Sequence, residues 1–280
     1  METTGANREY RDRLFKFIFG NSENKEWTLS LYNAINGSHY TDAEAIEINT
    51  LEDVVYMNMK NDVSFLIDNT LNLYEQQSTF NPNMPMRFLI YAGMIYSRYI
   101  EERKNYRRYS SAQQKAPTPK CVCFYNGTTD ENDRVVLRLS DSFDKESDIE
   151  VTVLMININF GHNRALLDVC KPLKEYALFI DRVRFHQRTL ESLSDALDAA
   201  LADLPDDAVI KPFLIRHRAE VKSMCITEYN DARFRDEVKE EGRVELLVEL
   251  VKDGILSVAE AASRAHMDVA EFEAKTGLKA

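Results

Sequence analysis

Apolar residues change their spacing along the chain, and the changes predict where helices give way to strands. Near the start they recur every three to four positions, which predicts helices at about 7–20 and 25–35. After Asn36-Gly37 come short runs rich in β-branched and aromatic residues, which predict strands because polar breaks bound them. These runs are AIEINT, VVYMNM, DVSFLI and LNLYEQQ.

The middle of the chain combines further strands with one helix. Asp68-Asn69 predicts a hairpin turn between DVSFLI and LNLYEQQ. Pro85 stands where a helix would begin, and MRFLIYAGMIYSRYIEER keeps helical spacing after it. A polar stretch with Pro117 and Pro119 ends that helix, and CVCFY, VVLRL and IEVTVLMININ predict strands of the same sheet. The rest of the chain is helical in pattern, so the order of elements predicts an α/β fold with an all-helical C-terminal extension.

Length and composition indicate one main domain with an appendage, since 280 residues can bury a sizeable core. The pattern predicts a core at 1–160, a helical extension packed on it at 161–232, and an acidic helix with a small hairpin at 233–280. No run of eighteen apolar residues exists and the polar opening lacks a signal core, so no membrane partner is expected. Four cysteines without metal-site spacing indicate reduced packing thiols in a cytoplasmic protein.

The charge of the chain argues against indiscriminate coating of DNA, because phosphate repels a surface of formal net charge −11. One segment differs, since 98–120 carries seven basic residues against two acidic ones and is interleaved with tyrosines. This composition suits phosphate contact and base stacking, with Arg103, Arg107 and Arg108 as candidate DNA contacts. A solvated helix end followed by a loop explains the same pattern equally well.

Two carboxylates flank the predicted hairpin. Asp62 begins DVSFLI and Glu75 lies near the end of LNLYEQQ, so the predicted turn brings them close enough to share a cation. Two carboxylates with waters and a phosphate oxygen form a typical Mg²⁺ site, and Mn²⁺ is the alternative ion. Gln77 lies two residues beyond Glu75, so strand alternation directs it to the same face. Taken singly, each carboxylate also fits a solvated surface residue, but the joint spacing favours a metal site.

The same residues match a known pattern. Asn61-Asp62-Val63 followed by Tyr74-Glu75-Gln76-Gln77 resembles the split motif of the PD-(D/E)XK nuclease superfamily. It is most similar to the recombination-promoting nuclease (Rpn) or transposase branch, whose motif ends in Glu-x-Gln. Asp12-Arg13-Leu14-Phe15-Lys16 resembles the opening motif of that branch, and Arg87 with Tyr91 matches its Arg-and-Tyr helix.

The resemblance covers about residues 9–230 and implies both a fold and an activity. The fold would be a restriction-endonuclease-like PD-(D/E)XK core, and the activity Mg²⁺- or Mn²⁺-dependent hydrolysis of DNA in recombination, mobile-element biology or phage defence. Asp62 and Glu75 would be the metal ligands, and Gln77 would replace the motif lysine. Two positions depart from the superfamily pattern: Gln77 carries no charge, and Asn61 stands in place of proline.

The helical residues receive roles from the resemblance in the same way. Asp12 would be the acidic helix residue that completes the catalytic site, and Lys16 a phosphate contact one turn later. Arg87 would contact phosphate near the metal, and Tyr91 would support it. A solvated helix face explains Asp12 and Lys16 as well as a site role does.

Two other functions fit the sequence. One is a protein that keeps the fold, has lost cleavage and regulates through DNA binding or protein interaction. The other is a protein-interaction role through the acidic C-terminal helix, which would pair with a second copy to form a homo-oligomer. The apolar positions of that helix are Val244, Leu247, Val248 and Val251. The final helical pair resembles a helix-turn-helix in length, but its acidic second helix favours a packing or oligomerisation hairpin.

Overall fold

A computed structural model describes most of the chain. The described residues are 10–48, 63–102, 111–190, 192–225, 244, 246–253, 255–265 and 267–278. They divide into two compact units, one formed by the described residues up to 225 and the other by those from 244 onward. The predicted helical extension after residue 160 therefore belongs to the same compact unit as the sheet.

Helices pack on the sheet of the first unit. Two precede the strands in sequence, one lies between the third and fourth strands, and the rest follow the last strand. In this unit they are α1 (Tyr10–Phe19), α2 (Lys25–Asn36), α3 (Met84–Glu102), α4 (Arg164–Val169), α5 (Lys171–His186), α6 (Leu193–Asp203), α7 (Lys211–Arg216) and a helical segment at 218–225. Gly37 ends α2 as predicted, with a φ of 63° and an N–H that donates to the Asn33 carbonyl.

One predicted helix begins later than expected. The pattern predicts a helix at 206–217, whereas α7 begins at Lys211. The buried carboxylate of Glu175, on α5, accepts the backbone N–H groups of Val209 and Ile210 at 3.1 and 3.0 Å. A side chain distant in sequence thus satisfies the donors before α7, a partner that periodicity cannot reveal.

Six strands form one mixed sheet. They are β1 (Glu47–Ile48), β2 (Val63–Ile67), β3 (Thr70–Gln77), β4 (Thr118–Tyr125), β5 (Arg134–Arg138) and β6 (Thr152–Asn157). Their order across the sheet is β1-β2-β3-β4-β6-β5. β3, β4 and β6 run parallel, and the other neighbouring strands pair antiparallel. The predicted α/β class, with a mixed sheet between helices and a helical C-terminal region, is confirmed.

The predicted hairpin joins β2 to β3. Asp68 and Asn69 adopt φ values of 46° and 55°, the left-handed region that a two-residue hairpin turn requires. Val63 pairs with Tyr74, which places the start of β2 beside the end of β3. Of AIEINT the structure describes 45–48, and within these β1 is strand; VVYMNM lies outside the described residues.

Pro119 was predicted to lie in the polar stretch between α3 and the strand CVCFY, but it lies inside β4, which begins at Thr118. Thr118 donates its N–H to the Asn69 carbonyl, so the nitrogen of the next residue is directed away from β3. On the side of β4 that faces β6, pairing between the two strands begins only at Val122. The first residues of β4 thus behave as an edge, where a proline removes no hydrogen bond of the sheet.

The two faces of the sheet carry different cores. One face packs on α3 and is mainly aliphatic; it includes Leu71, Leu73, Phe88, Tyr91, Cys123 and Met155. The other packs on α1, α2 and α5 through aromatic rings in series: Tyr32, Phe65, Tyr74, Phe124, Phe15 and Tyr176. α1 and α3 therefore lie on opposite faces.

The second unit is a helical hairpin packed on the end of the acidic helix. It contains α8 (Val258–Arg264) and α9 (Val269–Thr276), and Ser257 caps α8 with a reciprocal Ser-Glu capping box. Val244 and Leu247 are buried against α8, and Val248 and Val251 pack on the same cluster. Two of the apolar positions predicted to pair with a second copy, Val244 and Leu247, are thus buried within the unit, and Val248 and Val251 are partly buried there. A role of the hairpin in packing or in oligomerisation stays a prediction.

Among the described helices, none is both long and apolar enough to cross a lipid bilayer.

Candidate functional site

The candidate site lies where β3 ends on the α3 side of the sheet. Glu75 is 1% exposed there, although its neighbours along the strand face are the core residues Leu71 and Leu73. Gln77 lies on the same side, as predicted, with its amide Nε2 3.5 Å from Glu75 Oε1. A strand that begins in the apolar core thus ends with a carboxylate and an amide.

Helix α3 brings a cation and a phenol to this carboxylate. Arg87 and Tyr91 are four residues apart and therefore lie on one face of the helix. Arg87 Nη2 donates to Glu75 Oε1 at 2.5 Å and to the Tyr91 hydroxyl at 2.8 Å, while Arg87 Nε lies 3.1 Å from that hydroxyl. The Tyr91 hydroxyl is itself 3.4 Å from Glu75 Oε1. Three of the residues that the sequence singles out meet at one oxygen atom.

Charge compensation explains why this carboxylate is tolerated in the core. An ionised carboxyl group loses its hydration on burial, and only a nearby cation with good hydrogen bonds offsets that loss. Arg87 supplies the cation, with 29% of its side chain exposed against 2% for Glu75. The ion pair therefore has one fixed, buried partner and one that reaches solvent.

Asp62, the other predicted metal ligand, lies outside the described residues. Its neighbour in the chain, Val63, pairs with Tyr74, the residue before Glu75. The end of α1 is also close to Val63, because a Cβ added at Gly20 would lie 3.3 Å from Val63 Cγ2. Val63 and Gly20 thus both lie near the end of β3.

Asp12 and Lys16 are on α1, and α1 packs on the face of the sheet opposite α3. The start of α1 is at the same end of the sheet as Glu75, because Arg11 Nη1 donates to the Asn126 carbonyl just after β4. The two helices thus approach one end of the sheet from its two faces. A shared site for Asp12 and Glu75 stays a prediction.

The basic stretch begins at the other end of the sheet. Arg98 lines a small hollow with Leu66, Leu71 and Pro117, next to the turn of the hairpin. Three turns of α3 separate it from Arg87. Arg103, Arg107 and Arg108 lie outside the described residues, so their role as DNA contacts stays a prediction.

The donor set at the end of β3 suits a hard divalent cation. Carboxylate and amide oxygens are the ligands that Mg²⁺ and Mn²⁺ accept, and Glu75 and Gln77 present both kinds within one strand. Within the part of the chain that the structure describes, which omits Asp62, no group of three or more His, Cys, Asp and Glu side chains could hold a metal ion. The fit of this site to a metal therefore depends on Asp62.

A second polar network, at the ends of β4 and β6, was not predicted. Arg184, from α5, donates to the carbonyl and side-chain oxygens of Asn126, to Asn159 Oδ1 at 2.7 Å and to the Gly127 carbonyl at 3.3 Å. The sequence offers one hint, an asparagine at the end of each strand: Asn126 directly follows β4, and Asn157 is the last residue of β6. In the structure both asparagines are buried.

The same network includes a histidine and a carboxylate. His162 Nδ1 lies 2.8 Å from Asp133 Oδ1, and the Asn163 amide donates to the Asp133 carbonyl at 2.6 Å. The hydrogen bond from His162 is the main reason why the pKa of Asp133 is below its ordinary value. These contacts tie the loop after β6 to the residue before β5.

No family model, curated protein or solved structure matches the chain.

Proposed function

We propose that the chain is a metal-dependent DNA endonuclease of the PD-(D/E)XK type, similar to the recombination-promoting nuclease or transposase branch. One observation carries the proposal: the buried carboxylate of Glu75 is contacted by Gln77, Arg87 and Tyr91 at the end of β3. The sequence motif singles out the same four residues.

The arrangement of elements supports the same assignment. Glu75 and Gln77 lie on the second strand of a hairpin, β2–β3, which is followed by a helix and by a strand parallel to β3. The paired carboxylates would then come from the two arms of one hairpin, and the arginine from the helix that follows it. An arrangement of this kind gathers acidic ligands and a phosphate-binding cation at one end of a sheet.

Each side chain has a distinct part in the proposed reaction. Asp62 and Glu75 would hold Mg²⁺ or Mn²⁺, which when bound polarises a phosphoryl group and lowers the pKa of a coordinated water. The Gln77 amide orients the attacking water or a phosphate oxygen, since it can donate and accept but carries no charge. Arg87 binds a non-bridging phosphate oxygen, because its planar guanidinium matches phosphate geometry. Tyr91 holds that guanidinium through its hydroxyl.

The decisive test is nicking of supercoiled plasmid by the purified chain with Mg²⁺ or Mn²⁺. We expect metal-dependent cleavage that is lost in both Asp62→Ala and Glu75→Ala. Asp141→Ala is the matched control, since Asp141 is an exposed carboxylate after β5, away from the end of β3. Cleavage by all variants alike would identify a contaminating nuclease, and no cleavage by the wild type in either metal would contradict the proposal.

A second candidate is a nuclease-fold protein that binds DNA without cutting it. Two observations favour it: Gln77 is neutral where the superfamily motif has lysine, and Arg87 already neutralises Glu75. Fluorescence anisotropy with labelled duplex DNA in EDTA separates the two. Tight binding without metal, together with an uncut plasmid at high enzyme concentration, would favour this candidate over the nuclease.

A further inference from the structure

The proposed function raises a question about Arg87, because the same guanidinium has two possible partners. In the structure it binds Glu75 Oε1, at 2.5 Å. In the proposed reaction it binds a phosphate oxygen while Glu75 holds a divalent cation. A guanidinium and a divalent cation bound to one carboxylate repel each other, so the two arrangements compete.

We infer that Arg87 couples metal binding to DNA binding by moving between Glu75 and a phosphate of the DNA. The inference rests on the proposed function and adds a regulatory step to it. Without DNA, Arg87 lowers the affinity of Glu75 for a metal ion. A bound phosphodiester supplies a new anionic partner for Arg87 and so releases Glu75 for the metal. Metal and DNA therefore strengthen each other's binding.

The surroundings of the pair allow one partner to move and hold the other still. Glu75 is buried on a central strand that pairs with β2 and β4, so its position is fixed. Arg87 lies near the start of α3 on a long side chain that is 29% exposed. The Tyr91 hydroxyl lies within 3.1 Å of both Arg87 Nε and Nη2, on a ring that is fully buried. Tyr91 thus provides a fixed contact near which the guanidinium can change its anionic partner.

Thermodynamic reciprocity gives the inference a measurable form. If DNA raises the affinity for metal by some factor, metal must raise the affinity for DNA by the same factor. The factor should depend on the charge of residue 87. Removal of that charge relieves the competition at Glu75 and also removes the phosphate contact of residue 87, so the part of the coupling that Arg87 carries should disappear.

The test measures Mn²⁺ binding to the full chain, with the EPR signal of the free ion as the readout. It is made with and without a short phosphorothioate duplex that resists cleavage. For the wild type we expect the duplex to tighten Mn²⁺ binding by about tenfold or more. Arg87→Met should bind Mn²⁺ more tightly than the wild type without DNA and gain less affinity from DNA than the wild type does, because only the direct contact between phosphate and metal remains. Arg87→Lys keeps a positive charge and should keep part of the coupling. Arg138→Met, at an exposed position of β5 at the opposite end of the sheet, should behave as the wild type.

Two controls separate the coupling from the metal site itself. Circular dichroism checks that each variant is folded, and Arg87→Lys carries the test if Arg87→Met does not fold. Glu75→Gln should lose Mn²⁺ binding. If the wild type binds no Mn²⁺, or Glu75→Gln binds it equally well, the proposed metal site is wrong and the coupling with it. If Glu75→Gln loses Mn²⁺ but DNA leaves the wild-type affinity unchanged, or tightens Mn²⁺ binding equally in the wild type and Arg87→Met, the coupling through Arg87 alone is wrong and the proposed site stands.

Discussion

Two arginines reach the ends of two neighbouring parallel strands, and their acceptors differ in charge. Arg87 comes from α3 and binds the carboxylate of Glu75 at the end of β3. Arg184 comes from α5, on the other face of the sheet, and binds amide and carbonyl oxygens of Asn126, Gly127 and Asn159 after β4 and β6. Both arginines are partly buried, and both connect a helix to the end of a strand.

The charge of the acceptor helps to distinguish a structural arginine from a functional one. Neutral acceptors hold a guanidinium in one place, and no other ligand in the reaction would compete for them. A buried carboxylate is different, because it binds a metal ion as readily as a guanidinium, and the arginine can bind phosphate instead. We therefore propose that Arg184 serves stability and that Arg87 serves the proposed reaction.

The largest effect should come from removing Arg87. Arg87→Met deletes the phosphate contact and should slow plasmid nicking by about 10²–10³-fold at saturating metal, the usual loss for one transition-state donor. Arg184→Met should leave the rate per folded molecule unchanged. Nicking rates at equal concentrations of folded protein measure both, and equal losses in the two variants would abolish the distinction between the arginines.

Arg184→Met should instead lower the free energy of unfolding. The loss is expected at about 2–4 kcal/mol, since each buried acceptor left unsatisfied costs about 1–3 kcal/mol. Urea unfolding followed by circular dichroism measures it. Arg188→Met is the matched control at an exposed position of the same region and should change stability by less than about 0.5 kcal/mol. Wild-type stability in Arg184→Met would show that the network does not hold the loops.

A smaller loss is expected at Gly127, within the Arg184 network. A Cβ there would lie 2.2 Å from the hydroxyl oxygen of Tyr125, which is buried and hydrogen-bonded to Thr129. Gly127→Ala should therefore destabilise the fold by about 1–3 kcal/mol through overpacking. Gly93→Ala is the opposite control, because Gly93 is on α3 with open space around it and alanine favours helix by about 0.5–1 kcal/mol. Thermal unfolding should shift in opposite directions in the two variants.

The smallest effect concerns Asp133, at the edge of the same network. The hydrogen bond from His162 lowers the pKa of Asp133 in the folded state, so the ionised carboxyl group favours folding. This contribution is complete above the unfolded pKa of about 3.9 and disappears as the pH falls through the folded value. Because the side chain is 59% exposed, the gain should be below about 0.5 kcal/mol.

Asp133→Asn tests this in urea titrations between pH 7 and pH 3. The variant should be slightly less stable than the wild type at pH 7, and the difference should shrink below pH 4. A difference that grows between pH 4 and pH 3 would mean that the sign of the Asp133 contribution is wrong.

Local chemistry predicted the β2–β3 hairpin and the faces of its strands. Asp68 and Asn69 tolerate the left-handed backbone that the turn needs, and alternation then fixes Glu75 and Gln77 on one side. Helical spacing likewise fixes Arg87 and Tyr91 on one face of α3. These inferences succeeded because each depends on residues close together in sequence.

Other features depend on contacts between distant residues. Pro119 was placed before the strand CVCFY because its tolerance in β4 depends on β6 pairing only from Val122 onward. The start of α7 was placed too early because Glu175 satisfies the preceding N–H groups from another helix. No local pattern carries this information.

The sequence by itself determined the elements, the hairpin and the set of candidate residues, since dihedral preference and periodicity are properties of neighbouring residues. Only the tertiary structure decided that Arg87 binds Glu75, that α1 and α3 lie on opposite faces, and that Arg184 reaches Asn126, 58 residues away. The physical reason is that a buried charge takes its partner from whichever helix packs over it. That choice follows from how the layers pack around the sheet.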